Sequence, residues 1–171
     1  AVDYGAVICI TDAQLARERD LKMIQQGPQT LPGVPEPKLG AGVRLSTDPT
    51  AGYLFPQCRI EIDGQTRSLD KAAGLDFILL AVGHDPLAAL RPEQRAYLEA
   101  IGVRVVRTGE GAPANDIDGT CHAWCAQHQC NTVLIRPDFY VFGMARNAAE
   151  VSELVSALMA TLRTQLEEQP A

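Results

Sequence analysis

No stretch of the 171-residue chain approaches the roughly 20 apolar residues that a membrane-spanning helix requires. The start lacks the basic segment followed by an apolar one that marks a secretory leader. Positive charge is in deficit: 15 Lys and Arg stand against 21 Asp and Glu, a formal net charge of −6. That balance argues against general nucleic-acid binding, which needs a basic surface to displace counterions. There is no internal repeat. Five cysteines form an odd number at irregular spacing, so free thiols in a reducing cytoplasm are expected rather than a disulfide framework. What remains is a mixed-charge chain that is 46% hydrophobic, enough for one sizeable core or one domain with an appendage. Its first residue is Ala1 rather than Met, so a processed chain or a piece of something longer is expected.

The strongest pattern runs from Asn131 to Leu166. Thr132-Val133-Leu134-Ile135 is short, apolar and β-branched, as in a buried strand. Pro137-Asp138 suits a tight turn. Phe139 to Phe142 reads as the returning strand, with Gly143 at its end. Asn147 with Glu150 forms a variant of the capping box. Val151, Leu154, Val155, Leu158, Met159, Leu162 and Leu166 then make one apolar helical stripe. A hairpin followed by a long amphipathic helix is the closing half of a thioredoxin-like fold.

The opening half is read from Leu75 onward, after an appendage and a connector. Ala6 to Ile10 reads as a short apolar strand, and Thr11 with Gln14 as the cap of a polar helix reaching about Gln26. Residues 27–51 hold Pro28, Pro32, Pro35, Pro37 and Pro49 and read as an extended connector. Asp63-Gly64 marks a hairpin turn. Ser68-Leu69-Asp70 could start one helical turn stopping at Gly74. From Leu75 the order is α/β: a strand over Phe77 to Val82, a helix over Pro92 to Ile101, a strand over Val103 to Val106, a loop over Gly109 to Asn115, and a helix within Asp116 to Gln129. The expected division is an N-terminal helical or extended appendage over 1–26, the connector over 27–51, and a mixed-sheet, thioredoxin-like domain over 52–171.

Cys121, His122, Cys125, His128 and Cys130 put five potential zinc ligands within ten residues. Structural zinc sites usually draw paired ligands from two segments, whereas Cys121, Trp124, Cys125 and His128 fall on one stripe of a helix. Core packing is therefore favoured over metal, with cysteine acting as a small hydrophobe. Thioredoxin redox chemistry needs Cys-x-x-Cys after the first fold strand; here that stretch is Val82-Gly83-His84-Asp85-Pro86, without cysteine. His84-Asp85 reads as a solvated loop rather than a catalytic couple. Asp116-Ile117-Asp118-Gly119 lacks the further acids of a calcium loop and suits helix capping. Gly40-Ala41-Gly42 has no following helix to make it a phosphate loop. No catalytic, cofactor-binding or metal-binding residue is assigned.

The run Leu134-Ile135-Arg136-Pro137-Asp138-Phe139-Tyr140-Val141 resembles the VRPD-x-YV signature near the C-terminus of class A FAD-dependent aromatic-ring hydroxylases, most like the 3-(3-hydroxyphenyl)propionate hydroxylase branch. Val7 to Asp12 followed by Ala16 to Asp20 resembles the segment that ends the flavin-bearing body, so residues 1–26 are expected to be the end of that body, and Leu54-Phe55-Pro56-Gln57, Arg67 to Asp70 and Asp118-Gly119 sit in the matching order. The resemblance implies the C-terminal portion of an FAD- and NAD(P)H-dependent aromatic monooxygenase, with FAD bound upstream by a Gly-x-Gly-x-x-Gly unit that this chain does not contain. It implies a non-catalytic role in stability, docking onto the upstream FAD and substrate domain of the same chain, and possible homodimerisation. The charge balance and the lack of a long apolar run leave neither nucleic acid nor membrane as an expected partner. The rival readings are a stand-alone thiol-redox protein using Cys121 and Cys125, and a zinc-binding module on the same helix.

Overall fold

The computed structural model describes residues 9–26 and 37–167. The chain divides into two compact units, 1–36 and 37–171. In the first, helix α1 spans Ala13–Gln26. Its cap is Asp12 rather than the expected Thr11: the Asp12 carboxylate accepts the Gln14 and Leu15 amides, both at 2.9 Å. A carboxylate is the stronger acceptor at a helix N-terminus. The expected strand over Ala6 to Ile10 lies largely outside the described residues.

The second unit is a seven-stranded mixed sheet with helices on both faces. Its elements in chain order are β1 (Arg59–Ile62), β2 (Gln65–Ser68), α2 (Leu69–Ala73), β3 (Ile78–Val82), a 3-10 turn (Pro86–Ala89), α3 (Pro92–Ala100), β4 (Arg104–Thr108), β5 (Ala114–Asp116), α4 (Thr120–Gln127), β6 (Thr132–Ile135), β7 (Val141–Ala145) and α5 (Ala148–Glu167). The strand order is β2-β1-β5-β4-β3-β6-β7. β3 pairs parallel with β4 and antiparallel with β6, and β6 pairs antiparallel with β7. These four strands and their helices are a thioredoxin-like fold. β1, β2 and β5 extend the sheet beyond β4, with β5 parallel to β4 and antiparallel to β1.

Both faces of the central strands are apolar, so both must be covered. Ile78, Leu80, Val106, Val133 and Ile135 face one layer, with Phe55, Leu69, Cys121 and Cys125. Leu79 and Leu134 face the other, with Leu90, Leu98, Val151, Leu154, Val155 and Leu158. Gln94 is fully buried and joins α3 to α5. Its Nε2 donates to the Ser152 carbonyl at 2.7 Å and to Ser156 Oγ at 3.0 Å; its Oε1 accepts the Arg91 amide at 2.9 Å and the Ser152 hydroxyl at 3.0 Å. With all four bonds made, its burial costs little.

Two expected elements and the place of one glycine differ. The segment read as a loop over Gly109 to Asn115 contains the start of β5, which has no β-branched residue and exists because the edges of β1 and β4 are there to pair with it. The returning strand is Val141–Ala145 rather than Phe139 to Phe142. Phe139 takes a left-handed φ of 68° and belongs to the turn, which the Phe139 amide closes onto the Arg136 carbonyl at 2.9 Å. Gly143 lies inside β7 instead of ending it. A Cβ there would meet Leu154 Cδ1 at 2.9 Å and Leu45 at 3.1 Å, so glycine is required by close approach.

Leu45 belongs to a strap, residues 37–55, that runs along the outer edge of β7. Leu45 and Gly52 amides donate to the Phe142 and Val141 carbonyls, each at 2.8 Å, and the Val141 amide donates to Tyr53 O at 2.9 Å. The buried Asp48 carboxylate accepts the Met144 amide at 2.7 Å, the Thr50 amide at 2.8 Å and the Thr50 hydroxyl at 2.7 Å. The strap thereby satisfies a strand edge that would otherwise stand open.

Replacing Asp48 by alanine leaves the Met144 and Thr50 amides buried without acceptors. Urea unfolding should show a loss of about 1–3 kcal/mol; an unchanged midpoint would mean that water replaces the carboxylate. Gly143→Val should cost about 1–3 kcal/mol through overpacking against Leu45 and Leu154, read in the same titration.

Candidate functional site

The chemistry-bearing side chains concentrate on α4 and the strand ends around it. The helix is capped from a distance: Asp116, at the end of β5, accepts the His122 amide through Oδ2 at 3.0 Å. Its other oxygen is buried without a partner. Asp118 instead forms a two-pronged pair with Arg59, at 2.7 and 2.5 Å. The Arg59 hydrogen bond holds the Asp118 carboxyl below its ordinary range. The two aspartates thus serve as cap and ion-pair partner and do not converge on a cation.

The expectation of five free thiols is corrected here: Cys58 and Cys121 are joined in a disulfide. Cys58 precedes β1 and Cys121 opens α4, and both are fully buried. The link closes a separation of 63 residues. In the loop-entropy description such a link contributes about 4 kcal/mol, more than the hydrogen bonds at this helix. Packing brought these two cysteines together; nothing in their spacing announced it.

The remaining members of the stripe separate by role. Cys125 is buried on the same face as Cys121. Trp124 lies edge-on to Phe55, centroids 5.0 Å apart, and His128 stacks on Trp124 at 4.1 Å. His122 reaches the other way, its Nε2 2.9 Å from the hydroxyl of the buried Thr108 at the end of β4. Cys121 and Cys125 are buried in the core, Cys121 as half of a disulfide rather than as a free thiol, and the five candidate ligands are divided among these separate roles. Among the described residues no group of three or more His, Cys, Asp or Glu is placed to hold a metal ion.

Cys130 sits beyond the end of α4. Gln129 adopts a left-handed φ of 53°, its amide bonds Ala126 O at 3.2 Å, and the Cys130 amide bonds Cys125 O at 3.0 Å. This Schellman geometry folds Cys130 back over Cys125. The hydrogen bond between the two thiols pushes the Cys125 thiol up, with burial adding to the effect, and holds the Cys130 thiol below its ordinary value. Sequence reasoning grouped both cysteines with possible zinc ligands and did not see them as a pair. A left-handed C-cap without glycine carries no signal in composition.

At the end of β3, His84 Nε2 lies 2.9 Å from the Thr132 hydroxyl, which also donates to Asn131 Oδ1 at 3.2 Å. The imidazole Nδ1 is buried without a partner. Asp85 caps the 3-10 turn through the Leu87 amide at 3.0 Å and pairs with Arg107 at 3.4 Å. His84 and Asp85 thus have separate partners and form no couple. The Gly40-Ala41-Gly42 stretch leads into bends of the strap, where Gly40 O accepts from Arg44 Nε at 2.6 Å.

The signature turn is a structural clamp. Arg136 holds Asp138 through two nitrogens, at 3.1 and 2.7 Å, and donates a third bond to the Val43 carbonyl at 2.8 Å. One guanidinium therefore ties the β6–β7 turn to the strap, a use of its fork geometry that lysine could not reproduce.

Comparison with known proteins places these features. Residues 52–161 match the model of the HcaD C-terminal domain family. The chain is 32% identical over 169 residues to the "Probable NADH-specific resorcinol 4-hydroxylase" of Rhodococcus jostii (strain RHA1), covering 95% of this chain and 31% of that protein. It is 28% identical over 190 residues to the 3-(3-hydroxy-phenyl)propionate/3-hydroxycinnamic acid hydroxylase of Burkholderia cenocepacia (strain HI2424), covering 96% of this chain and 35% of that protein. The chain thus spans about a third of the length of these relatives. Among solved structures, the flavin-dependent monooxygenase PieE shares the fold, with a TM-score of 0.52 at 21% identity over 90% of this chain and 31% of PieE. From the family match over residues 52–161, this chain belongs to the HcaD C-terminal domain family.

Proposed function

We propose that this chain is the C-terminal portion of an FAD- and NAD(P)H-dependent aromatic monooxygenase acting on phenolic rings, and that it contributes structure and docking rather than catalysis. The observation that carries the reading is the alignment of 95% of this chain with 31% of a protein named as a resorcinol 4-hydroxylase. A second relative is named for 3-(3-hydroxyphenyl)propionate. The parent enzyme would insert one oxygen atom of O2 into the ring, with FAD and the nicotinamide served by the upstream domain.

The turn after β3 does not suit the pyrophosphate of a flavin dinucleotide. A pyrophosphate is held by free amides at a glycine-rich strand-to-helix turn. Here the turn after β3 carries the Asp85 carboxylate on the Leu87 amide, which would repel a phosphate. The buried polar side chains Gln94 and Asp48 are engaged with the Ser152 carbonyl and the Met144 amide. The described α1 brings no apolar core of its own: Leu15, Leu21, Met23 and Ile24 are exposed. The upstream FAD and substrate domain is the partner this helix would dock onto, and a second copy of the enzyme is the partner for homodimerisation.

The test is spectroscopic and catalytic together. This chain, purified from cells and then mixed with FAD, should show no flavin absorbance after gel filtration and should leave FAD fluorescence unquenched. The full-length product of the same gene should purify yellow and oxidise NADH or NADPH faster when resorcinol or 3-(3-hydroxyphenyl)propionate is added. Flavin retained by the present chain alone would overturn the division of labour. A full-length product without flavin would overturn the assignment to this enzyme class.

A further inference from the structure

We propose that Cys125 and Cys130 form a redox dithiol at the C-terminal end of α4, which small disulfides of the glutathione type oxidise to an intramolecular disulfide. The site is separate from the docking role above and does not depend on it. Its basis is the Schellman closure of α4. That motif ends with a contact between the residue three from the helix end and the residue two beyond the cap. The contact is ordinarily an apolar pair; here both partners are cysteines, already drawn together by the bond from the Cys130 amide to Cys125 O at 3.0 Å. Both thiols are free, since the neighbouring Cys121 is committed to Cys58.

The two sulfurs differ in the way an exchange reaction requires. Cys130 is half-buried and Cys125 buried. The hydrogen bond from Cys125 favours the Cys130 thiolate, and Arg146 favours it further, against burial and the charge of Asp48. Cys130 is therefore the entering nucleophile. Cys125 stays protonated, held so by the Cys130 sulfur, by burial and by Asp116.

The exchange balances as follows. The Cys130 thiolate attacks one sulfur of the small disulfide RSSR, forms a Cys130–S–S–R bond and expels RS⁻. Capping removes the charge on Cys130, and with it the largest influence holding the Cys125 proton. The Cys125 thiol gives that proton to the departing RS⁻ or to water. Its sulfur then attacks Cys130 Sγ, forming the Cys125–Cys130 bond and expelling the second RS⁻. Cys130 has given its own proton to water on forming the thiolate and Cys125 gives the second, so two protein thiols are oxidised and one RSSR is reduced to two RSH. The oxidised helix would be stapled at both ends, by Cys58–Cys121 at its start and Cys125–Cys130 at its finish.

The experiment uses the full 171-residue chain carrying Cys9→Ser, which removes the exposed third thiol. It is incubated with oxidised glutathione, freed of reagent, and alkylated in denaturant for intact mass and unreduced peptide mapping. The expected result is a fall from two alkylatable thiols to none, no retained glutathione, and a Cys125–Cys130 linkage. Adding Cys125→Ala should convert this outcome into one stable glutathione adduct on Cys130, while Cys130→Ser should leave Cys125 unmodified. If Cys125→Ala does not fold, judged by the fluorescence of the sole tryptophan Trp124, the Cys9→Ser result alone decides. Two unreacted thiols, a persistent adduct with Cys125 intact, or a linkage of Cys125 to Cys121 or Cys58 would each overturn the proposal.

Discussion

Strands β3 and β6 are apolar on both faces, and the rest of the domain is arranged around that constraint. Ile78 through Ala81 and Thr132 through Ile135 are fully or almost fully buried. A strand of this kind has no solvent side, so its backbone must be paired on both edges and its side chains covered on both faces. Pairing β3 to β4 and β6, and β6 to β7, answers the first need. The second is met by unlike layers. One cover is the long amphipathic α5 with α3. The other is built from α2, α4 and the segment around Phe55 and Cys58.

The two covers are secured by different means. α5 brings a continuous apolar stripe and meets α3 through the saturated Gln94 network. α4 is only Thr120–Gln127 and could not hold its place by propensity, since helices this short are marginal alone. It is anchored by the Asp116 cap, the Cys58–Cys121 bond and the Cys125–Cys130 closure. That concentration of sulfur on one short helix follows from what the helix must do, and it is also what gives the domain its only paired free thiols among the described residues.

The family signature has a structural meaning on the same terms. Arg136 and Asp138 brace the β6–β7 turn, and Arg136 carries the brace to the strap at Val43. The strap in turn closes the β7 edge through Leu45, Asp48 and Gly52. In the thioredoxin fold the loop after the first parallel strand is where redox chemistry is placed; here Gly83-His84-Asp85-Pro86 caps a turn and bonds Thr132 instead. The architecture is shared while that site is not, as expected where function resides in residues placed on a fold rather than in the fold.

Local chemistry determined much of this structure from the sequence alone. Asp63-Gly64 supplies two left-handed residues for the β1–β2 turn, Gly74 stops α2, Pro92 opens α3, and Asn147 with Glu150 caps α5. Each acts within four residues, so its signal survives in a single sequence. The same holds for the helical stripe of Cys121 and Cys125 and for the order of strands and helices that specifies the α/β fold. Tertiary structure alone decided the rest. β5 has no strand-forming residues and pairs because two edges flank it. Gly143 is dictated by Leu45, far back in the chain, and by Leu154 on the helix that follows β7. Cys58 meets Cys121 across 63 residues. These are contacts between segments whose approach is set by the packing of the whole sheet, and no local pattern encodes a distance that only the assembled core defines.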